Sequence, residues 1–128
     1  MNRFSPANKI APDEKIVPVM AYTHSYLCVG TIILKSQVRA SLWLRGHLPP
    51  EFIRILDAKV IFTATPRDSI SPIVLSDINL PVDDIIAFHV TPPARDPMDY
   101  DPLEINRRMV PVSVIAGSFI IAGSLRIA

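Results

Sequence analysis

The stretch that decides the fold is residues 17–34, VPVMAYTHSYLCVGTIIL, which recurs without a gap as residues 110–127, VPVSVIAGSFIIAGSLRI. Five of the 18 aligned positions are identical: Val17/Val110, Pro18/Pro111, Val19/Val112, Ser25/Ser118 and Gly30/Gly123. Self-similarity at a fixed offset, here 93 residues, indicates a repeated structural unit, although two β-hairpins of similar composition would also look alike. We predict that the two segments superpose and are neighbours in one sheet or barrel.

Each copy has the pattern of a β-hairpin, with turns near His24-Ser25 and Gly117-Ser118. In the second arm of the first copy, one face carries Tyr26, Cys28, Ile32 and Leu34, and the opposite face carries Leu27, Val29 and Ile33. The second copy places Phe119 and Ile121 at the positions of Tyr26 and Cys28. A strand that is apolar on both faces is either central in a closed barrel or covered by a partner chain.

Composition supports one small β-rich domain. The chain has 128 residues, with 49% hydrophobic and 20% charged residues, which excludes a disordered chain and leaves room for one core. It contains 13 Pro but only 4 Gly. Because proline breaks helix interiors and cannot donate to a ladder, this distribution favours short strands separated by rigid turns.

Between the repeats, residues 35–46 (KSQVRASLWLRG) fit either a strand or a short helix. We predict a helix over about residues 37–45, with Ser36 as the N-cap and Gly46 after the C-terminus. In either case Trp43 lies with the arginines, so we expect it to be partly exposed and available to a partner.

A strand is predicted after Pro49-Pro50, and its pattern changes phase once. Ile53 and Ile55 share one parity, whereas Leu56, Ala58 and Val60 follow with a shift of one residue. Such a shift is what a β-bulge produces. We predict a bulge or sharp bend at Leu56-Asp57, with Asp57 pointing away from the core.

The predicted fold is mostly β, a small bent sheet or barrel with one short helix. Four segments follow from the pattern: a flexible tail over residues 1–16, a small β domain over 17–91, a loop rich in Pro and Asp over 92–108, and a hairpin over 109–128. The last hairpin either closes the sheet of the first unit or opens a second unit.

The net charge and the cysteine content limit which partners and which cellular compartment we expect. The formal net charge is +1, which gives no electrostatic reason to expect nucleic acid or an acidic membrane surface. The apolar stretch from Val110 is interpreted as a strand pair rather than a membrane span, because it contains proline, glycine and serine. With one cysteine and no signal-peptide pattern at the N-terminus, we expect a cytoplasmic protein.

No motif in the sequence carries a recognisable chemistry. The three histidines stand at positions 24, 47 and 89, without the paired spacing of a metal site. Cys28 lies in an apolar strand and is expected to behave as a small hydrophobe. No nucleophile elbow, phosphate-binding loop or dinucleotide glycine pattern is present. We therefore predict no catalytic residues, no cofactor and no metal, and we do not expect an enzyme.

A family resemblance rests on GTIIL at residues 30–34, the helix-like segment 38–44 and FIRILDAKV at residues 52–60. This order resembles a group of uncharacterised small β domains of bacteria that often occur in multiple copies, and it covers residues 25–90. The resemblance implies a β fold and brings no catalytic residues. The chain is also similar to Sm-like five-stranded barrels, which assemble into rings, although the RNA-contacting loop motifs of that family are not recognisable in it.

The function expected from these observations is a non-enzymatic interaction or assembly module that self-associates through apolar strands. The expected partner is a second copy, most simply in a two-fold dimer joined near residues 26–34 or 118–127, with another protein left open. The candidate interaction residues are Leu27, Val29, Ile33, Trp43, Phe119 and Ile121. The alternatives are a β domain that senses a small ligand or nucleotide, and an Sm-like RNA-binding ring subunit.

Overall fold

The computed structural model describes residues 10–46, 48–63, 71–92, 94 and 108–127. Its elements are β1 (Glu14–Thr23), β2 (Tyr26–Lys35), the helical turn α1 (Ala40–Trp43), β3 (Phe52–Phe62), β4 (Ile73–Pro81), a 3-10 turn (Val82–Asp84), β5 (Ile85–Val90), β6 (Arg108–Ala116) and β7 (Phe119–Ile127). The mostly β fold predicted from the sequence is confirmed.

Five strands form one bent antiparallel sheet in the order β4-β3-β2-β1-β5. The strands β1 to β4 follow each other as a meander, and β5 returns beside β1, with Val19 opposite Val90. In the part of the chain that the structure describes, β4 and β5 are the border strands of an open sheet. The bent-sheet alternative is therefore correct, and the closed barrel is wrong.

The core lies on one face of this sheet, which we call the core face. The residues that build it are Val17, Val19, Ala21, Cys28, Ile32, Leu34, Ile53, Ile55, Ala58, Val60 and Leu80, with Ala40 from α1. Cross-strand pairing explains the grouping, because Val17 lies opposite Ile32 and Ala21 lies opposite Cys28. Trp43 and Leu44 pack against this cluster from the helical turn. The predicted shared face of Cys28, Ile32 and Leu34 is thus confirmed.

The helix is shorter than the sequence predicts. It comprises only Ala40–Trp43, and Arg39 rather than Ser36 occupies the N-cap, without a side-chain capping bond. The C-cap is Leu44, whereas a helix followed directly by Gly46 would have Arg45 there. A single helical turn gains little from the cooperativity of helix formation. Its position therefore depends on the packing of Ala40 and Trp43 in and against the core.

The bulge predicted in β3 is confirmed. Between Val29 and Thr31 the strand β2 advances by two residues, whereas its partner β3 advances from Lys59 to Leu56 by three. Asp57 is the extra residue, adopts a positive φ of 50° and is exposed. Aspartate is among the few residues that tolerate this left-handed conformation. The bulge keeps apolar side chains on the core face on both sides of the phase change.

Gly30 lies directly beside the bulge, where the β3 backbone approaches most closely. A Cβ at this position would lie 2.7 Å from the carbonyl oxygen of Leu56 and 3.3 Å from the Cα of Ala58. Both contacts are to backbone, which cannot rotate away. The glycine is therefore a steric requirement of the β2–β3 pairing.

The segments 17–34 and 110–127 both form hairpins, but they are not neighbours in one sheet. Val17 pairs with Ile32 in the first hairpin and Val110 pairs with Leu125 in the second, so both partners shift by the offset of 93 (17 to 110, 32 to 125). The strands β6 and β7 form a separate two-stranded sheet. The prediction of adjacency, including closure of the first sheet by the second hairpin, is wrong, because matching register does not specify which strand lies alongside.

The segment boundaries also shift. Residues 14–16 belong to β1, so the strand begins inside the predicted tail, and residues 1–9 lie outside the described residues. The predicted loop over 92–108 falls mostly outside the described residues as well, and Arg108 is already part of β6.

The close approach at Gly30 yields a test of the fold. We expect Gly30→Ala to lower the free energy of unfolding by about 1–3 kcal/mol, because the added methyl group overpacks a site walled by backbone. Gly46→Ala is the matched control, since its Cβ would meet nothing nearer than 3.8 Å. Urea denaturation of both variants measures the difference. Equal midpoints for the two variants would contradict this account of the bulge.

Candidate interaction surface

The hairpin formed by β6 and β7, called the hairpin below, exposes large apolar side chains. Ile115 is 78% exposed and Ile120 is 74% exposed, and the two are cross-strand partners next to the turn. Among the described residues, the hairpin pairs with no other strand. Contiguous exposed apolar surface of this kind is typical of interaction sites.

Cross-strand pairing sorts the hairpin side chains into two faces. The inner face carries Val110, Val112, Val114, Ala116, Phe119, Ile121, Gly123 and Leu125. The outer face carries Met109, Pro111, Ser113, Ile115, Ile120, Ala122 and Ser124. Through the offset of 93, the inner face corresponds to the core face of β1 and β2. The inner face is therefore built like a core-forming surface.

The two corresponding surfaces differ sharply in how well they are covered. Ala21 and Ile32 are 0% and 1% exposed in the five-stranded sheet. Their counterparts Val114 and Leu125 are 52% and 56% exposed. The difference arises because side chains of β3, β4 and α1 pack with the first surface in one core cluster, whereas the described residues cover the second surface only in part. The hairpin thus presents a core-type face that is only partly covered.

One end of the hairpin rests on the five-stranded sheet. The ring of Phe119 meets the ring of Tyr22 edge-on, with centroids 5.1 Å apart and planes at 74°. At the turn, a Cβ on Gly117 would lie 2.6 Å from Cδ1 of Ile86, so the turn fits closely against β5. Gly117 also has a φ of 60°, which suits glycine. These contacts cover the turn end and leave Leu125 exposed.

A polar contact beneath this end fixes Tyr22. Its hydroxyl is hydrogen-bonded to Nε2 of His89 at 2.8 Å, and the two rings are 5.4 Å apart. Nδ1 of His89 donates to the carbonyl oxygen of Val90 at 2.9 Å, so Nε2 accepts from the hydroxyl. Burial raises the pKa of Tyr22 above its usual range, which keeps the hydroxyl protonated as a donor. Both ring nitrogens of His89 are satisfied, as in a structural histidine.

The structure divides the residues predicted as interaction sites between two places. Leu27, Val29 and Ile33 lie on the back face of the five-stranded sheet, opposite the core face, and are half-buried. Ile33 and Trp43 border one shallow depression of about 320 Å³, together with Glu14, Phe52 and Arg54. Phe119 and Ile121 are half-buried on the inner face of the hairpin. The predicted set is therefore not one continuous patch.

The most exposed apolar residues of the strands were not among the predicted site residues. Besides Ile115 and Ile120, the border strand β4 carries Val74, which is 69% exposed, with Ile73 and Leu75 beside it. Alternation alone marks such residues as strand-forming and does not reveal which face is covered. A usable signal was present in the repeat, because residues 110–127 match the central hairpin of the sheet but not its flanking strands.

Three further observations on the described residues concern a groove, metal ligands and membrane spans. A groove of about 470 Å³ runs between α1 and β5, lined by Leu44, Arg45, Val82 and Ile85 to Phe88. No group of three or more His, Cys, Asp or Glu in this part of the chain is placed to hold a metal ion. None of the described helices is long and apolar enough to cross a membrane.

Cys28 is fully buried, and burial raises the pKa of its thiol to about 11. Because only the thiolate reacts with disulfide reagents, roughly one thiol in a thousand is ionised at pH 8. We expect 5,5′-dithiobis(2-nitrobenzoate) to leave Cys28 unmodified in the native protein at pH 8 and to modify it rapidly in guanidinium. Rapid modification of the folded protein at neutral pH would show that the core face is open at β2.

No known protein gives information about the hairpin. No protein-family model, curated protein or solved structure matches the chain. The candidate surface is therefore defined by the described residues alone: the inner face of the hairpin, its exposed Ile115 and Ile120, and the contact of Phe119 with Tyr22.

Proposed function

We propose that this chain is a non-enzymatic, cytoplasmic assembly module that self-associates through the β6–β7 hairpin. The observation that carries the proposal is the exposure of Val114 and Leu125, at positions whose counterparts Ala21 and Ile32 are buried in the core. The same pattern of side chains forms a core in one place and remains uncovered in the other. A second protein surface supplies the missing cover.

The energetics of a two-stranded hairpin support this role. An isolated hairpin is at best marginally stable in water, and packing against further strands is what stabilises it. Burial of apolar surface contributes about 25 cal/mol per Å², so covering several valine, isoleucine and leucine side chains favours association. The contact of Phe119 with Tyr22 anchors the turn end but leaves this gain unrealised at Val114 and Leu125.

A second copy of the chain is the partner that the observations favour. The net charge of +1 gives little long-range repulsion between copies. A two-fold interface brings the same patch together from both subunits, so an apolar patch complements itself without needing an opposite charge.

The buried state of Cys28, with its raised pKa, argues against its use as a nucleophile and supports a non-enzymatic role.

The mass of the protein in solution tests the proposal. We expect light scattering coupled to gel filtration to give a dimer or larger species for the wild-type chain. Leu125→Lys places a charge on the inner face, so we expect it to shift the mass towards the 14.2 kDa monomer. Val74→Lys, which adds the same charge at an exposed site on β4, is the matched control and should not change the mass.

Two outcomes would contradict the proposal. A wild-type monomer at high micromolar concentration would refute self-association. A wild-type oligomer that withstands Leu125→Lys but dissociates with Val29→Lys would move the contact from the hairpin to the back face of the five-stranded sheet.

A further inference from the structure

We propose that the outer border of β7, the strand edge that faces away from β6, pairs antiparallel with the same edge of β7 in a second copy, around a two-fold axis at Gly123. This inference rests on the proposed self-association and specifies its geometry, in which the inner face of each copy is covered in part from the side by the inner face of the other. It joins two hairpins into one four-stranded sheet, with strand order β6-β7-β7-β6 and one continuous inner face. Three features of the hairpin support it: the direction of its backbone groups, the position of Pro111 and the presence of Gly123 in mid-strand.

The turn determines which residues of β7 direct their backbone groups outward. Gly117, with positive φ, is the first of two central turn residues, as in a type II′ turn. In such a turn the flanking pair, Ala116 and Phe119, is hydrogen-bonded, and hydrogen-bonded pairs then alternate along the ladder. Ile121 and Gly123 therefore point their backbone groups at β6. The alternate residues Ile120, Ala122 and Ser124 point their backbone groups to the outer border.

The first hairpin shows the same alternation in use. The backbone N–H of Thr63 donates to the carbonyl oxygen of Ser25 at 2.9 Å, so Ser25 and Val29 face β3. The offset of 93 converts these two residues into Ser118 and Ala122. The outer border of β7 thus corresponds to the border of β2 that holds a neighbouring strand.

The outer border of β6 is less suitable, because it contains Pro111. In the first hairpin, the corresponding border of β1 pairs with β5, but the pairing ends at the counterpart Pro18, whose carbonyl oxygen accepts a hydrogen bond from the backbone N–H of Thr91 at 2.9 Å. Its ring nitrogen has no hydrogen to return, so this border of the strand lacks a donor. Proline at an edge is a common means of discouraging further pairing. By the same offset, Pro111 removes one backbone N–H donor from the border of β6, whereas every residue of β7 retains its backbone N–H.

No contact among the described residues explains Gly123. At its counterpart Gly30, the Ile55 side chain and the β3 backbone fill the space that a Cβ would need. At Gly123 a Cβ would have nothing within 4 Å. A glycine inside a strand weakens the strand and often marks the place where another backbone approaches closely. The glycine therefore points to a strand that approaches from outside the described chain.

A two-fold axis at Gly123 gives a self-complementary register. It places Gly123 opposite Gly123 in a pair without direct hydrogen bonds, where the Cα atoms are closest, about 4.5 Å apart. Ile121 then lies opposite Leu125 on the inner face, and Ala122 opposite Ser124 on the outer face. Over residues 121–125, apolar residues therefore lie opposite apolar ones, and small residues lie opposite small ones.

Proline substitution separates the two borders of the hairpin. Ala122 and Ser113 are cross-strand partners on the outer face, and both direct their backbone groups away from the hairpin. We expect Ala122→Pro to raise the dissociation constant of the dimer by about tenfold or more, because it removes ladder hydrogen bonds on both sides of the axis. Ser113→Pro makes the same change on β6 and should leave the dissociation constant unchanged.

Cysteine crosslinking tests the register without weakening the hairpin border. We expect Gly123→Cys to form a disulfide-linked dimer under mild oxidation, because the two Cα atoms lie within the range that a disulfide spans. Ser113→Cys should remain monomeric on a non-reducing gel, and buried Cys28 serves as an internal negative control.

The outcomes distinguish this inference from the proposal beneath it. A wild-type monomer would overturn both. A wild-type oligomer in which Ala122→Pro dissociates no more than Ser113→Pro, or in which Gly123→Cys fails to crosslink, would overturn the β7 pairing and leave self-association through the inner face standing.

Discussion

The structure depends on the close approach of β3 to β2 at Gly30. The extra residue Asp57 bends β3, and the absence of a Cβ at Gly30 lets the bent backbone pass. Without this combination the apolar residues before and after the phase change would point to opposite faces of the sheet. With it, Ile53 and Val60 both reach one core, against which side chains from all five strands of the sheet pack.

The hairpin shows what the same sequence pattern does without that neighbour. Its register reproduces that of β1 and β2, yet its core-type face stays half uncovered. Packing, rather than local propensity, is therefore what distinguishes the two copies. The chain carries one five-stranded sheet and one hairpin whose core-type face is half uncovered, and Tyr22 and Phe119 form a contact between the two.

Local features were predictable from the sequence, and non-local ones were not. The hairpin turns and the bulge at Asp57 follow from alternation and its single phase change, because side-chain direction has a strict period of two in a strand. The separation of the hairpin from the five-stranded sheet could not be deduced, because similar strands can pair with many neighbours. For the same reason, Phe119 was found among the candidate residues while the exposure of Ile115 and Ile120 was missed.

The pairing of β5 with β1 has a consequence for how the chain folds. Val19 and Val90 are far apart in sequence, so their contact requires closure of a long loop, which slows folding relative to local pairing. The hairpin β6–β7 has a two-residue turn and forms on a much shorter timescale. When the whole chain refolds, the hairpin therefore forms and re-opens many times before β5 has docked. Refolding at high protein concentration is then a kinetic competition between completion of the sheet and contact among unfinished copies.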